Sequence, residues 1–406
     1  MGAVQHLCQP TSGAVVLARV KAECRHQAQH QPFTSARRIV DTVLRNAVPT
    51  DQPLCIPAPD LLARNVNRQR QIGRPSHPQD LSFDINMDAL PDNFFIADIM
   101  VNNRRHLIFA TNHQLHLLKR AKNWYVDATF KVIRKPFYQL FSIHAFITSD
   151  GENMKQVPLV FVVMSGKRTT DYRAIFTWIK DNVGELRLKS ITCDFEKAVW
   201  LAVKKVFSED IEIHGCLYHW EQSIFRKIQE LGLVSTYCMK KRTYNFCKAL
   251  MALPYLPADW IESIFQQIAS KDVNDKLRLL LDYIEHQWIN NATFIRTSWS
   301  VYQRPFRTNN DVEGWHHRFN LNSNNTGLNL YKLIELLHDE AQDVALNCEL
   351  LSNGIVLRRQ RKTHVNLHLR IHKAWNQFAS GDITAKQLMT KCRHISQGRF
   401  PLNNPQ

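Results

Sequence analysis

Three acids stand where this chain's residue types could do chemistry. Asp127 lies in "YVDATFKV", Asp194 in "SITCDFEKAV" and Glu313 in "TNNDVEGWHHRFN". Alternation through the first stretch puts Val126, Ala128, Phe130 and Val132 on one face. Tyr125, Asp127, Thr129 and Lys131 fall on the other. Aspartate is depleted in strands, and a buried carboxylate must be paired, hydrogen-bonded or metal-bound. The plain alternative is a solvated Asp on an exposed edge strand. Asp194 ends "SITC" and opens a helix striped by Phe195, Ala198, Val199, Ala202, Val203 and Val206. It reads either as an N-cap or as a ligand at the carboxyl end of a strand. With Asn310 as N-cap, Glu313 falls at N3 and completes a capping box. That reading leaves its company, Trp315, His316 and His317, without a purpose.

Two acids on strands and one on a helix make a hard-oxygen set suited to Mg²⁺ or Mn²⁺. Two such ions can clamp the attacking and leaving oxygens of an in-line phosphoryl displacement. No nucleophilic Ser or Cys is needed, because water or a DNA 3′-hydroxyl attacks. The sequence has no P-loop, GxGxxG, HExxH or GxSxG, so the competing enzyme classes lack their signatures.

The elements that must hold these acids read as α/β. Between residues 105 and 220, "HLIFATN", "WYVDATFKVI", "YQLFSIHAFIT" and "VPLVFVVMS" are strand-like. The helix "TDYRAIFTWIKDNV" follows. Two strand–helix pairs come next: "SITCDF" with "EKAVWLAVKKVF", and "IEIHGCL" with "HWEQSIFRKIQEL". Strands in hairpin series and then alternation with helices predict a mixed sheet with helices on its faces. Residues 230–300 change to helical spacing throughout, as in "KLRLLLDYIEHQWI", and everything after residue 312 reads as helix. Residues 1–85 hold two short helical patterns, "TSARRIVDTVLRNAV" and "APDLLARNVNRQRQ", then a linker-like "GRPSHPQD".

Composition bounds the partners. Of the 406 residues 44% are apolar and 22% charged, enough for a packed core. No apolar run reaches the roughly 20 residues of a membrane span, and no signal peptide is expected. Nine cysteines without a CxxC pair point to a reducing compartment. The formal charge of +16 favours a polyanion through counterion release. Candidate phosphate contacts are Arg64, Arg68, Arg70 and Arg74 near the N-terminus. In the tail they are Arg358, Arg359, Arg361, Lys362, Arg370 and Lys373, beside His364, His368 and His372 at helical spacing. The bland reading of both groups is a solvated face.

Taken in order, "YVDATFKV", "SITCDFEKAV", "GCLYHWEQSI" and "TNNDVEGWHHRFN" resemble a Mutator-like element (MULE) transposase domain, over roughly residues 108–322. The aspartates lie 67 residues apart, and the glutamate 119 further on. The resemblance implies an RNase H-like fold in two parts, 86–229 and 301–345, around an all-helical insertion at 230–300. An N-terminal helical and linker region, 1–85, and a basic helical tail, 346–406, flank it. It implies that Asp127, Asp194 and Glu313 form a DDE triad holding two Mg²⁺ or Mn²⁺ ions. Such a triad cuts transposon ends and joins the 3′-hydroxyl to target DNA in the nucleus. A homo-oligomer that holds both ends is expected. Cys216 and His219 occupy the family's C-x-x-H positions, and His316 matches a histidine often found three residues after the glutamate. Two ligands do not make a zinc site; His214, two residues before Cys216, could be a third, and zinc is not expected. The N-terminal helices resemble the segment that follows a FLYWCH finger in animal members, but no such finger is recognisable. Two other readings stay open. One is a host-retained, catalytically silent DNA-binding or regulatory protein. The other is an α/β protein with incidental charge, in which the three acids lie far apart.

Overall fold

Three helices precede the sheet in the computed structural model, which describes residues 14–31, 34–47, 57–149, 153–322, 327–355 and 362–395. They are α1 (Ala14–His30), α2 (Ala36–Ala47) and α3 (Pro59–Gly73). Val20, Cys24, Ile39, Val40, Leu62 and Val66 pack them into a small core of their own. Helix α1 lies beyond the two patterns read from the sequence. Its buried residues, Val20, Cys24 and Ala28, recur every four positions among polar neighbours, a narrow stripe.

The sheet has seven strands: β1 (Phe95–Val101), β2 (Arg104–Phe109), β3 (Asn123–Phe130), β4 (Gln139–Ser149), β5 (Asn153–Met164), β6 (Ser190–Cys193) and β7 (Glu212–Gly215). Their order is β1-β2-β5-β4-β3-β6-β7. β1 to β5 pair antiparallel, while β6 joins β3 and β7 joins β6 in parallel. The sheet is therefore mixed, as the sequence predicts. Strand β1 was not foreseen. It turns into β2 through Asn102 and Asn103, both with positive φ (45° and 62°), a conformation Asn tolerates better than most residues.

Helices cover both faces. Trp124, Val126, Phe141, Ile143, Val160 and Val162 form one side. They meet α4 (Asn112–Arg120), α5 (Thr169–Asn182) and α6 (Lys197–Val206) through Leu118, Ile175, Phe176 and Val203. Next come α7 (Leu217–Glu230), α8 (Val234–Met239), α9 (Lys241–Met251), α10 (Ala258–Ala269), α11 (Asp275–Ile284) and the short α12 (Arg296–Trp299). On the other side, Leu107, Phe109, Leu140, Phe161 and Val163 pack against α13 (Asn310–Asn322) and α14 (Leu330–Ser352). The tail adds α15 (Lys362–Ala379) and α16 (Ala385–Ile395), and Trp375 donates to the Tyr255 carbonyl (2.9 Å).

Aromatic rings join the helical segment to the sheet core. Trp220 of α7 stacks on Trp299 (4.5 Å, 9°) and meets Trp288 edge-on (4.6 Å). Phe195 meets Trp288 at 4.6 Å and Phe294 at 5.4 Å. The segment returns where it left, because the Leu217 amide donates to the Arg307 carbonyl (2.9 Å).

Candidate active site

Parallel register brings the acids level. Tyr125 of β3 pairs with Thr192 of β6, and Thr192 pairs with His214 of β7. Two residues further along each chain are Asp127, Asp194 and Cys216. The 67-residue spacing between the aspartates is thus the register offset of two neighbouring strands. Strand β3 lies between β4 and β6, so Asp127 is inside the sheet and not on an exposed edge. Its side chain is 15% exposed, on the face that α13 covers.

Helix α13 delivers Glu313 over these strand ends. Trp315 anchors the helix, stacking on Phe161 (5.8 Å) and donating to Glu340 (2.6 Å). Asn309 fixes the entry to the helix. Its amide donates to Cys216 Sγ (3.1 Å) and its side-chain amide to the Val126 carbonyl (3.3 Å). The Glu313 amide donates to the Asn309 carbonyl (3.0 Å). Asn309, not Asn310, therefore precedes the helix, and Glu313 sits one residue too deep for a capping box. Asp194 is likewise not a cap, because Glu196 holds that position before α6.

Two imidazoles interleave with the three acids. His219, in the first turn of α7, has Nδ1 3.7 Å from Asp194 Oδ1 and Nε2 3.8 Å from Glu313 Oε1. His316 Nε2 lies 3.8 Å from Asp127 Oδ2 and 3.3 Å from Ser142 Oγ. Ser142 continues to His144 Nε2 (2.9 Å). Burial pushes His316 down to about 3, so it is neutral at physiological pH. His144, also pushed down by burial, packs edge-on against Trp315 (5.0 Å). His317 faces solvent.

Asp127 is pushed up to about 8, first by burial and then by the charges of Asp194, Glu313 and Glu196, against the Ala128 amide that it accepts. A cluster of carboxylates that repel one another and hold a proton this tightly suits a hard cation. Carboxylate oxygens such as those of Asp127, Asp194 and Glu313 are hard donors of the kind that Mg²⁺ or Mn²⁺ takes. Glu196, not foreseen from sequence, lines the same cavity of about 260 Å³ with Asp127, Asp194, Phe130, Lys167 and Tyr172. Burial raises Glu196, opposed by a Tyr172 hydrogen bond and the Lys167 charge. A larger cavity, about 610 Å³, lies between β7 and α12 and holds none of the three acids.

The Cys-x-x-His pair finds its third neighbour in Glu313. The ligand atoms of Cys216, His219 and Glu313 lie within 4.8 Å of one another. His214 is elsewhere, 3.0 Å from Glu212. Burial pushes the Cys216 thiol up to about 12. As a neutral thiol it accepts the Asn309 amide, which ties α7 to the start of the Glu313 helix.

Gly215 is sized for this arrangement. A Cβ there would stand 2.3 Å from the Phe195 ring. Gly215→Ala is expected to push Phe195, and Asp194 beside it, out of place. The expected loss is about 1–3 kcal/mol, measured by urea unfolding.

Of the basic candidates, Arg68 is exposed on α3, but Arg70 is not a DNA contact. It is buried and donates to the carbonyls of Gln31 and Thr34, tying the N-terminal helices together. Arg74 pairs with Glu335 of α14 (2.8 Å). Arg358, Arg359 and Arg361 lie outside the described residues, and Lys362 opens α15. Arg370 and Lys373 are exposed. His368 and His372 form no open histidine face. The first meets Arg307 (3.0 Å) and the second packs against Trp375 (5.0 Å).

Among curated proteins, none matches the chain. Residues 123–223 match the family model of the MULE transposase domain. The match starts with β3 and ends within α7, so it includes Asp127, Asp194, Cys216 and His219, while Glu313 lies beyond it. The matched segment reads as a MULE transposase domain, and a transposase-related role and interaction with DNA follow from a domain of that kind.

Proposed function

We propose that this protein is a DDE-type transposase with an RNase H-like fold, cutting DNA strands and transferring their 3′ ends by metal-dependent phosphoryl transfer. The observation that supports it most is the levelling of Asp127 and Asp194 on adjacent parallel strands beneath Glu313. These three residues would hold Mg²⁺ or Mn²⁺. When bound, such ions stabilise charge on the phosphoryl group and make water or a 3′-hydroxyl a better nucleophile. The protein's own residues set the geometry. Neutral His316 stands 3.8 Å from Asp127 and brings no charge beside it. His219 spaces Asp194 from Glu313. Lys167, at the cavity wall, supplies a fixed positive charge for a phosphate. The protein would act in the nucleus and assemble as a homo-oligomer to hold two DNA ends.

The test uses DNA that carries the sequences flanking this gene's own locus. Nicking with Mg²⁺ or Mn²⁺ is expected. Asp194→Asn should bind the same DNA with the same salt dependence and leave it intact. Salt-dependent binding by the unaltered protein, with no nicking in either metal, overturns the catalytic reading in favour of a silent DNA-binding protein.

A further inference from the structure

Two aromatic rings stand uncovered at the mouth of the acid cavity. Phe130, the last residue of β3, is 43% exposed, and Tyr138, just before β4, is 48% exposed. Their centroids lie 5.6 Å apart at 71°. Lys167 Nζ sits 5.1 Å from the Phe130 centroid and 5.6 Å from that of Tyr138. Single exposed apolar residues are ordinary. A pair sharing one ammonium is a more specific arrangement. Phe130 and Lys167 also line the cavity that holds Asp127 and Asp194.

The backbone holds the pair in place. Lys131 takes a positive φ of 67°, which ends β3 and turns the chain. Val132 and Phe137 are then buried, so the short return is fastened at both ends while Phe130 and Tyr138 stay outside. Lys131, Lys135 and Arg168 are exposed around them. The acids alone would repel a polyanion. This rim of cations can bring its phosphates to the cavity, and the two rings add exposed apolar surface beside it.

Aromatic faces flanked by cations match a nucleotide whose base is free to stack. In a duplex the base faces are already stacked, and only edges and backbone are on offer. We propose that Phe130, Tyr138 and Lys167 form a platform for an unpaired nucleobase beside the scissile phosphate, the two rings taking the base and the ammonium its phosphate. The protein therefore engages DNA that is frayed or single-stranded next to the cut. This rests on the DNA-cutting reading of the acid site and adds which form of the strand enters it.

The test is fluorescence anisotropy without divalent metal, with labelled single-stranded DNA and a blunt duplex of the same sequence. Phe130→Ala/Tyr138→Ala should weaken single-strand binding about tenfold or more, leaving duplex binding and the salt slope unchanged. Lys167→Ala should weaken both and flatten the salt slope by about one ion. Tyr138→Phe, which keeps the π face, should bind like the unaltered protein. A double variant that binds single strands normally, or loses duplex binding equally, overturns the platform. Unaltered melting temperatures keep that result interpretable, since both rings are surface groups. Nicking by the unaltered protein is scored separately. If nicking persists while the platform fails, only the platform falls.

Discussion

Asp127→Asn is expected to make the metal-free protein more stable at pH 8 and to abolish its metal-dependent cleavage. The carboxyl of Asp127 is pushed up to about 8 by burial and neighbouring acids. The unfolded chain releases this proton near pH 4. Between those values the folded protein holds more protons than the unfolded one, so its stability falls as pH rises and levels off above about 8. The penalty at pH 8 is at most about 5 kcal/mol. Asparagine keeps the shape, still accepts the Ala128 amide and never ionises. In EDTA the variant's advantage in melting temperature over the unaltered protein should therefore grow from pH 5 to pH 8, because the buried histidines titrate alike in both. Mn²⁺ should raise the melting temperature of the unaltered protein and leave the variant's where it was. Cleavage should drop by about 10³-fold or more, since metal-supplied charge stabilisation is worth several kcal/mol. A variant that melts below the unaltered protein at pH 8 would show instead that the carboxylate is a structural hydrogen-bond acceptor.

The second large effect lies in packing. Trp220→Ala should cost about 3–5 kcal/mol, because its ring is fully buried between Trp299 and Trp288. Urea unfolding should show a lower midpoint with an unchanged slope. Trp260→Ala, at a half-exposed site on α10, should lose less than about 1 kcal/mol. The contrast matters for chemistry because Trp220 sits beside His219 in α7. Loosening this helix frees the imidazole between Asp194 and Glu313, and cleavage should fall further than the drop in folded fraction explains. Equal losses for both tryptophans would mean that the helical segment does not brace the site.

What the sequence made legible was chemistry with a period. Alternation around Asp127 assigned its face correctly, because Val126 and Trp124 are in one core and Asp127 is opposite. The apolar stripe of α6 was equally clear. Contacts between distant segments were not. Ser142 and His144 lie two apart in "YQLFSIHAFIT", polar residues on one face of a buried strand. That was a signal, but their partner His316 is 174 residues from Ser142. Glu196 looked like one more helix-start acid. The Glu313 helix was read one residue late because Asn309 and Asn310 are both good caps. Only the Cys216 thiol and the Val126 carbonyl, which hold Asn309, decide between them. Arg70 illustrates the reverse error. Its neighbours in sequence are basic and solvated, while its partners are carbonyls more than thirty positions away.

The Leu217–Arg307 hydrogen bond has an evolutionary meaning. Everything from 217 to 307 leaves and rejoins the sheet core at one point, and Trp375 of the tail ties to it again at the Tyr255 carbonyl. Closing a loop grows dearer only slowly with its length, about 0.6 kcal/mol per doubling. Such a segment is free to lengthen, shrink or be exchanged between lineages while these ties and the aromatic contacts hold. The acids would register such a change through α7, whose His219 stands between Asp194 and Glu313. Diversity can therefore accumulate beyond α7 while the acids keep their places.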